Sequence, residues 1–261
     1  MEADGSPDSA DTDGGPLPAI VARAWGLQQP GTRGPRPGLS LERVVDAAIA
    51  VARTEGLAAV SMARVAATLG VSTMGLYRYV AGKNELLTLM VDRAWGGPPG
   101  LPRPDEGWRA GLARWAWALH GAGVRNPWVV AIPISSAPVT PNQVAWMDAC
   151  FAALDGTGLT PAECASVLLL VSGYVRNQVT LVSNLLTAVT SDPDAALLMR
   201  DYGRVLARVA DPGRFPALAA AVAAGAFDDD GEADEEGLGQ EFAFGLERIL
   251  DGVEALIRSR A

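Results

Sequence analysis

The sequence predicts an all-α chain, and three observations carry that expectation. Beyond Leu39, apolar residues recur with a 3.6-residue period in one long segment after another, and no stretch keeps the alternation of a half-buried strand. Thr140-Pro141-Asn142-Gln143 and Thr160-Pro161-Ala162-Glu163 are each a capping box with proline at the first helical position. Gly56 and Gly70 stand where helical runs end.

In chain order, residues 1–15 (MEADGSPDSADTDGG) hold almost nothing to bury and read as disordered. Pro18 to Leu27 is an apolar island able to form one or two helical turns and dock on the rest. Gln29 to Gly38 carries three prolines, three glycines, Arg33 and Arg36. Proline lacks the amide donor and restrains its predecessor, so this stretch reads as an extended basic arm. Ser40 suits an N-cap, Glu42 sits in the first turn where the helix dipole favours an anion, and Leu41, Val44, Val45, Ala48, Ile49 and Ala52 form the apolar face up to Gly56. A second helix runs from Ser61 to Gly70, with Met62, Val65, Ala66 and Leu69 inward; a third from Ser72 to Tyr79; a fourth from Lys83 through Trp95. Gly96 to Pro104 (GGPPGLPRP) marks a break. Beyond it, the spans 105–121, 126–134, 141–155, 161–190, 194–210, 215–226 and 235–260 are helical by period. The acidic stretch from Asp228 to Glu236 reads as a solvated loop. The expected division is a tail and arm at 1–38, a small helical domain at 39–95 and a larger one at 96–261.

Composition narrows the chemistry. The 261 residues fit one large or two small domains, and 49% apolar with 20% charged residues is ordinary for a globular chain. The net charge of −9 is unevenly spread: residues 1–32 carry one basic and five acidic side chains, residues 33–93 eight and five, and residues 94–261 twelve and twenty. The local balances are −4, +3 and −8, so one confined segment is basic enough for a nucleic-acid site. His120 is the only histidine, which excludes a His-rich metal site within one chain. Cys150 and Cys164 form no Cys-x-x-Cys, and without a secretory signal they fit a reducing cytoplasm. No uninterrupted apolar run reaches the roughly 18 residues of a membrane span. The nearest, Ala165 to Thr190, is broken by Arg176, Asn177 and Gln178 and reads as a buried helix of a soluble, cytoplasmic protein. No metal, cofactor or membrane partner is expected, and a single histidine without a carboxylate pair beside a nucleophile makes an enzyme a poor reading.

The informative text is Ser61 to Lys83, SMARVAATLGVSTMGLYRYVAGK. Two short helices flank Leu69-Gly70-Val71-Ser72, with glycine where a positive φ is cheapest. Ala66 lets the helices approach, and Val65, Leu69, Val71, Leu76 and Val80 fill the wedge. This is a helix-turn-helix pattern, whose second helix enters the DNA major groove. That helix would present Thr73, Met74, Tyr77, Arg78 and Tyr79 to solvent, and hydroxyls and a guanidinium are groups that bond phosphates and base edges.

Over residues 40–95 the sequence resembles the TetR family of bacterial transcriptional regulators: a capped helix ending in Glu55-Gly56, then S-M-x-x-V-A, L-G-V-S, L-Y-R-Y-V and G-K-x-E-L-L. The second half is similar to the family's tetracycline-repressor-type carboxy-terminal domains through N-P-W, I-P-I-S, P-N-Q and L-L-x-x-S-G-Y-V-R. The resemblance implies that Thr73 and Met74 touch bases, that Arg78 faces the groove with a guanine as its partner, and that Tyr77, Tyr79 and Lys83 contact phosphates. Ser61 and Ser72 are counted with them, although Ser61 reads first as an N-cap, a role one hydroxyl can combine with a DNA contact. Separately from the resemblance, the basic arm makes Arg33 and Arg36 candidates for a minor-groove or phosphate contact. Ala63 and Gly75 depart from the pattern and supply no base-reading side chain.

The helical half is rich in tryptophan (Trp108, Trp115, Trp117, Trp128, Trp146) with polar groups interleaved. The resemblance implies an effector pocket there, with Trp115, His120, Trp128, Asn142, Trp146, Tyr174, Asn177 and Gln178 as candidates. A tryptophan stripe also suits a plain core, and His120 a structural role. The spans 161–190 and 235–260, about 45 Å and 39 Å long at 1.5 Å per residue, are implied to pair with their counterparts into a dimeric four-helix bundle. Composition alone equally allows a monomer core. The expected function is a homodimeric, ligand-responsive regulator, a repressor released from a palindromic operator by a small apolar effector. The rivals are a sequestering protein or helical enzyme that keeps the module as scaffold, and an adaptor acting through 235–260.

Overall fold

A computed structural model describes residues 17–27, 39–100, 103, 105–134, 137–227 and 235–260. No strand occurs among the described residues, and the helices are α1 (Ala19–Ala24), α2 (Leu41–Glu55), α3 (Met62–Thr68), α4 (Thr73–Leu76), α5 (Lys83–Trp95), α6 (Trp108–Arg125), α7 (Pro141–Ala153), α8 (Pro161–Ser191), α9 (Pro193–Arg200), α10 (Tyr202–Val209), α11 (Pro216–Ala223) and α12 (Glu235–Arg258). Single 3-10 turns lie at Leu57–Ala59 and Pro127–Val129. The tail, the arm with Arg33 and Arg36, and the acidic stretch at 228–234 lie outside the described residues.

The long helices begin where their caps put them. Ser40 Oγ accepts from the Arg43 amide at 3.3 Å, and Thr160 and Glu163 complete their capping box at 3.3 and 2.9 Å. Three spans differ from the periodicity. Residues 126–134 give one 3-10 turn, because Pro127 and Pro133 bracket them and a residue before proline is pushed out of the α region. The span 194–210 bends at Asp201 (φ −102°, ψ 19°) into α9 and α10, and the bend brings Gly203 under the Phe227 carbonyl, where no Cβ fits. The third helix stops after four residues: the Tyr79 amide bonds the Leu76 carbonyl at 2.8 Å, a tighter turn that drops Val80 into the core.

Two hydrophobic cores result. One belongs to α2–α5, with Val44, Ala48, Val65, Leu76, Val80, Leu86 and Met90 at its centre, and it takes in Trp128 and Val129 from the turn after α6. The other joins α6, α7, α8 and α12 through Leu112, Trp115, Cys150, Val171, Val175, Phe242 and Leu246. α6 crosses α8 at Gly123, where an added Cβ would lie 2.8 Å from Val179 Cγ2. α8 is long and apolar enough to cross a bilayer by length and composition. Its inner face, Val167, Val171, Val175 and Val179, is buried, but Leu169 (74% exposed) and Leu170 (52%) lie outside, so the expectation of a buried helix holds for one face only.

Candidate nucleic-acid interface and junction cavity

The α2–α5 head is built so that α4 stands proud. Ser61 Oγ caps α3 through the Arg64 amide (3.1 Å), and Ser72 Oγ caps α4 through the Gly75 amide (3.2 Å). Gly70, at φ 64°, makes the turn between them. Leu76 and Val80 are fully buried and anchor the segment, leaving Met74 (76% exposed), Tyr77 (47%) and Arg78 on the outside with Lys83, while Thr73 is half-buried.

Charge pairing sorts the head's cations. Arg64 grips Glu55 (2.6 Å), Arg93 grips Asp46 (3.0 Å) and Arg23 grips Glu85 (3.0 Å). Arg78 and Lys83 have no carboxylate partner among the described residues. Lys83 is the first residue of α5, whose N-cap is Gly82 and offers no side-chain acceptor, so an ammonium sits at the positive end of a helix dipole. That arrangement suits a bound anion and serves α5 poorly by itself.

Tyr79 requires a correction. It is half-buried, its hydroxyl donates to the Leu39 carbonyl at 3.1 Å, and its own carbonyl accepts from Arg23, so it is not on the outer face. The early end of α4 turns it inward. The Oγ atoms of Ser61 and Ser72, both exposed, accept as helix caps, which leaves each O–H free to donate outward. The expected docking of the 18–27 island occurs, and the structure supplies the place that the sequence left open: Arg23 ties α1 to Glu85 and Tyr79 of the head, and Trp25 Nε1 donates to the Val139 carbonyl (2.8 Å) in the helical half. The signal for it was one arginine within an apolar island.

The head and the helical half meet through specific polar contacts. Arg53 of α2 donates twice to Asn126 Oδ1 (3.1 and 2.8 Å), and buried Asn126 donates to the carbonyls of Ala94 (3.1 Å) and Ala122 (3.3 Å). Buried Asp92 of α5 accepts from the amides of Asn142 (2.9 Å) and Gln143 (3.3 Å) at the start of α7. Trp146 Nε1 donates to the Gly96 carbonyl at 2.8 Å. Arg176 of α8 holds the carbonyls of Val130 (2.9 Å) and Ile132 (3.0 Å), and burial pushes its pKa down.

The eight candidate effector residues are not brought together. Trp115 is core, donating to the Trp146 carbonyl at 2.9 Å, and Trp128 is plugged into the head. Asn142 is engaged with Asp92, its Nδ2 lying 3.0 Å from Oδ2, and Asn177 is exposed. His120 stacks on Phe242 (centroids 4.2 Å apart), and burial lowers its pKa. Tyr174 stacks on the same ring (5.4 Å), donates to the Phe242 carbonyl (3.0 Å) and accepts from Gln178 (3.2 Å). His120 and Tyr174 thus share the Phe242 ring with Trp117, whose centroid lies 4.6 Å from it. A cavity of about 240 Å³ opens elsewhere, where α5 ends against α6 and α7; its walls include Trp95, Gly97, Trp117, Gly121, Arg125 and Trp146. Of the eight candidates, Trp146 alone lines it.

Comparison with known proteins agrees with this arrangement. Residues 44–90 match the family profile described as bacterial regulatory proteins, tetR family, and residues 101–257 match the tetracyclin repressor-like C-terminal domain. The HTH-type transcriptional repressor DrrR1 of Streptomyces coeruleorubidus is 35% identical over 97% of this chain and 91% of its own length. An HTH-type transcriptional regulator of Saccharopolyspora erythraea is 26% identical over 57% of this chain and 63% of its own. Among solved structures, apo ActR from Streptomyces coelicolor superimposes with a TM-score of 0.72 at 24% identity, covering 87% of this chain and 100% of that one. ActR in complex with (S)-DNPA gives 0.69 at 23% identity, over 84% and 99%.

Proposed function

Because the chain belongs to the TetR family of bacterial regulatory proteins, we propose that it is a homodimeric repressor that reads a palindromic operator and leaves it when a small organic effector binds. The observation that carries the DNA-binding reading is the unpaired Arg78 and Lys83 beside the exposed Met74 and Tyr77, on a segment anchored by Leu76 and Val80. Thr73, Met74 and Arg78 read base edges, with the Met74 methyl suited to a thymine methyl and the Arg78 guanidinium to guanine. Tyr77, Lys83 and the amides opening α5 take phosphates. Arg33 and Arg36 reach the duplex from the arm, whose flanks at Arg23 and Leu39 both bond Tyr79.

Residues 39–95 are the reading unit and 96–261 the effector and dimerisation unit, acting in the cytoplasm without a cofactor. The exposed apolar face of α8, with Phe244 of α12 beside it, supports self-association, and the ligand complex of the structural neighbour ActR supports an organic effector. Release requires the effector to prefer the state whose heads no longer match successive grooves; moving a population from 1:99 to 99:1 takes a preference of about 10⁴-fold. Selection of bound fragments from random DNA, followed by mobility shift at several salt concentrations, tests the reading. A two-fold symmetric site is expected. Binding that never rises above that of an unrelated fragment at any salt concentration would overturn it.

A further inference from the structure

We propose that α1 belongs to the DNA-binding head, and that its Arg23 is a positioning residue for phosphate contact, acting by cancelling the charge of Glu85 at the start of α5. This rests on the reading of the head as a DNA-binding unit and extends that unit beyond residues 39–95. The first turn of α5 holds Lys83 and Glu85, charges of opposite sign two residues apart. Glu85 folds back over the helix start, where its Oε2 accepts from the Ala81 amide at 2.5 Å, and its side chain is only 9% exposed. A carboxylate there favours the helix, but it competes for the same positive end that attracts a phosphate. Left alone, it would repel the DNA backbone from Lys83 and the α5 amides.

Arg23 removes that conflict. Its Nε lies 3.0 Å from Glu85 Oε1, and the guanidinium also donates to the Tyr79 carbonyl, between the reading segment and α5. Both paired atoms are buried and find no other hydrogen-bond partner among the described residues, so each depends on the other. The pairs Arg64–Glu55 and Arg93–Asp46 are exposed and screened by water and salt, whereas this one is shielded. The cation comes from outside the helix-turn-helix. A six-residue helix does not hold itself in water, so α1 is kept in place by docking: Ala24 packs on the core of the head, and Trp25 is tied to the Val139 carbonyl.

An ion pair that only holds the fold and one that sets the charge of a phosphate site differ in a measurable way. Deleting either member of the first weakens the protein alike. Deleting the base or the acid of the second moves DNA affinity in opposite directions, because one change leaves a bare anion beside the phosphates and the other a bare cation.

The test is a fluorescence-anisotropy titration of the full chain over a salt series, on the operator recovered by fragment selection and on a random-sequence duplex. Arg23→Met should weaken binding to both duplexes about two- to five-fold at low salt, the worth of one partly screened charge, and make log affinity fall less steeply with log salt. Glu85→Gln, which keeps an oxygen for the Ala81 amide, should move both quantities the other way, and the double variant should return close to the wild-type values. Arg23→Lys keeps the charge and should keep the wild-type salt slope. Circular dichroism of each variant checks that the helices persist. If Arg23→Met does not fold, Glu85→Gln decides by itself: tighter binding supports the proposal, and unchanged or weaker binding overturns it. Two single variants that weaken binding alike, with the salt slope unmoved, make the pair structural and overturn the proposal while the operator reading stands. A wild-type chain that binds neither duplex overturns the operator reading, and this inference with it.

Discussion

At the scale of single residues, the head separates cations that hold the protein together from cations left for a ligand. Arg64 is engaged by Glu55, so Arg64→Ala should cost local stability, whereas Arg78 and Lys83 answer to no acid among the described residues. Lys83→Ala should weaken binding to every DNA sequence and lower the slope of log affinity against log salt by about one, and Arg78→Ala should relax selectivity at one base position at a cost of about 1–3 kcal/mol. Competition mobility shifts over a salt series separate the two outcomes. His120 offers a second check, because it is the only histidine and burial against Phe242 lowers its pKa below the ordinary 6.5. The unfolded chain then takes up a proton that the folded one resists. Stability is therefore complete above pH 6.5 and falls as pH drops from there through the folded pKa. Urea unfolding at pH 8 and 5.5 should record that loss, and His120→Phe should remove the part centred below 6.5. The exposure of Met74, Tyr77, Arg78 and Lys83 was legible in the sequence because they lie within ten positions of one another and their exposure follows from local period. Tyr79 was not, since its fate depends on Leu39 and Arg23, distant in sequence, and on α4 ending early.

At the scale of elements, legibility tracked length and caps. α2, α5, α7, α8 and α12 were readable because each presents several turns of apolar face or a complete capping signal, so local preference and tertiary burial agree. The turn at Pro127–Val129 and the bend at Asp201 are set by proline spacing and by packing under Phe227, which apolar period does not encode. The cavity was illegible for a related reason. Its lining depends on how α6 and α7 are seated against the end of α5, where Asn126 bonds the Ala94 carbonyl and Asp92 bonds the start of α7, polar contacts that no hydrophobic pattern marks. These two joints make the inter-element prediction. Asp92→Ala removes the acceptor from two amides opening α7 and should cost about 1–3 kcal/mol, the penalty of stranding buried donors. The reduced stability should appear in urea unfolding, with protease nicking between α5 and α7 as an independent sign that the joint has loosened. The close crossing of α6 and α8 gives a steric counterpart. Gly123→Val thrusts atoms into Val179, a β-branched side chain with little rotamer freedom, and should destabilise by about 1–3 kcal/mol.

At the scale of the whole molecule, charge and apolar surface are disposed for a pair of heads presented together. The basic balance of residues 33–93 and the acidic balance of 94–261 orient the chain on a polyanion, with the head drawn toward phosphates and the helical half repelled. The same half leaves Leu169, Leu170 and Phe244 (74%, 52% and 67% exposed) on the outer faces of α8 and α12. Large exposed apolar side chains on adjacent long helices are costly in water and mark a surface that is covered in use. The composition of α8 follows the same division: one apolar face serves its own core, and the other carries the exposed Leu169 and Leu170 that the proposed dimer would cover. A four-residue reading helix spans too few base pairs to specify a site alone, so the proposed dimer would draw its affinity from two heads engaging at once. Leu169→Glu combined with Phe244→Glu places charges on that surface without touching the head. Sedimentation should then give the single-chain mass of 27.1 kDa, circular dichroism should be unchanged, and operator affinity should fall by about 10²- to 10⁴-fold, the loss expected when a tethered second contact becomes a separate event. A variant that stays paired with full affinity would move the self-association surface elsewhere, and a wild-type chain already single at working concentration would remove the two-headed mechanism altogether.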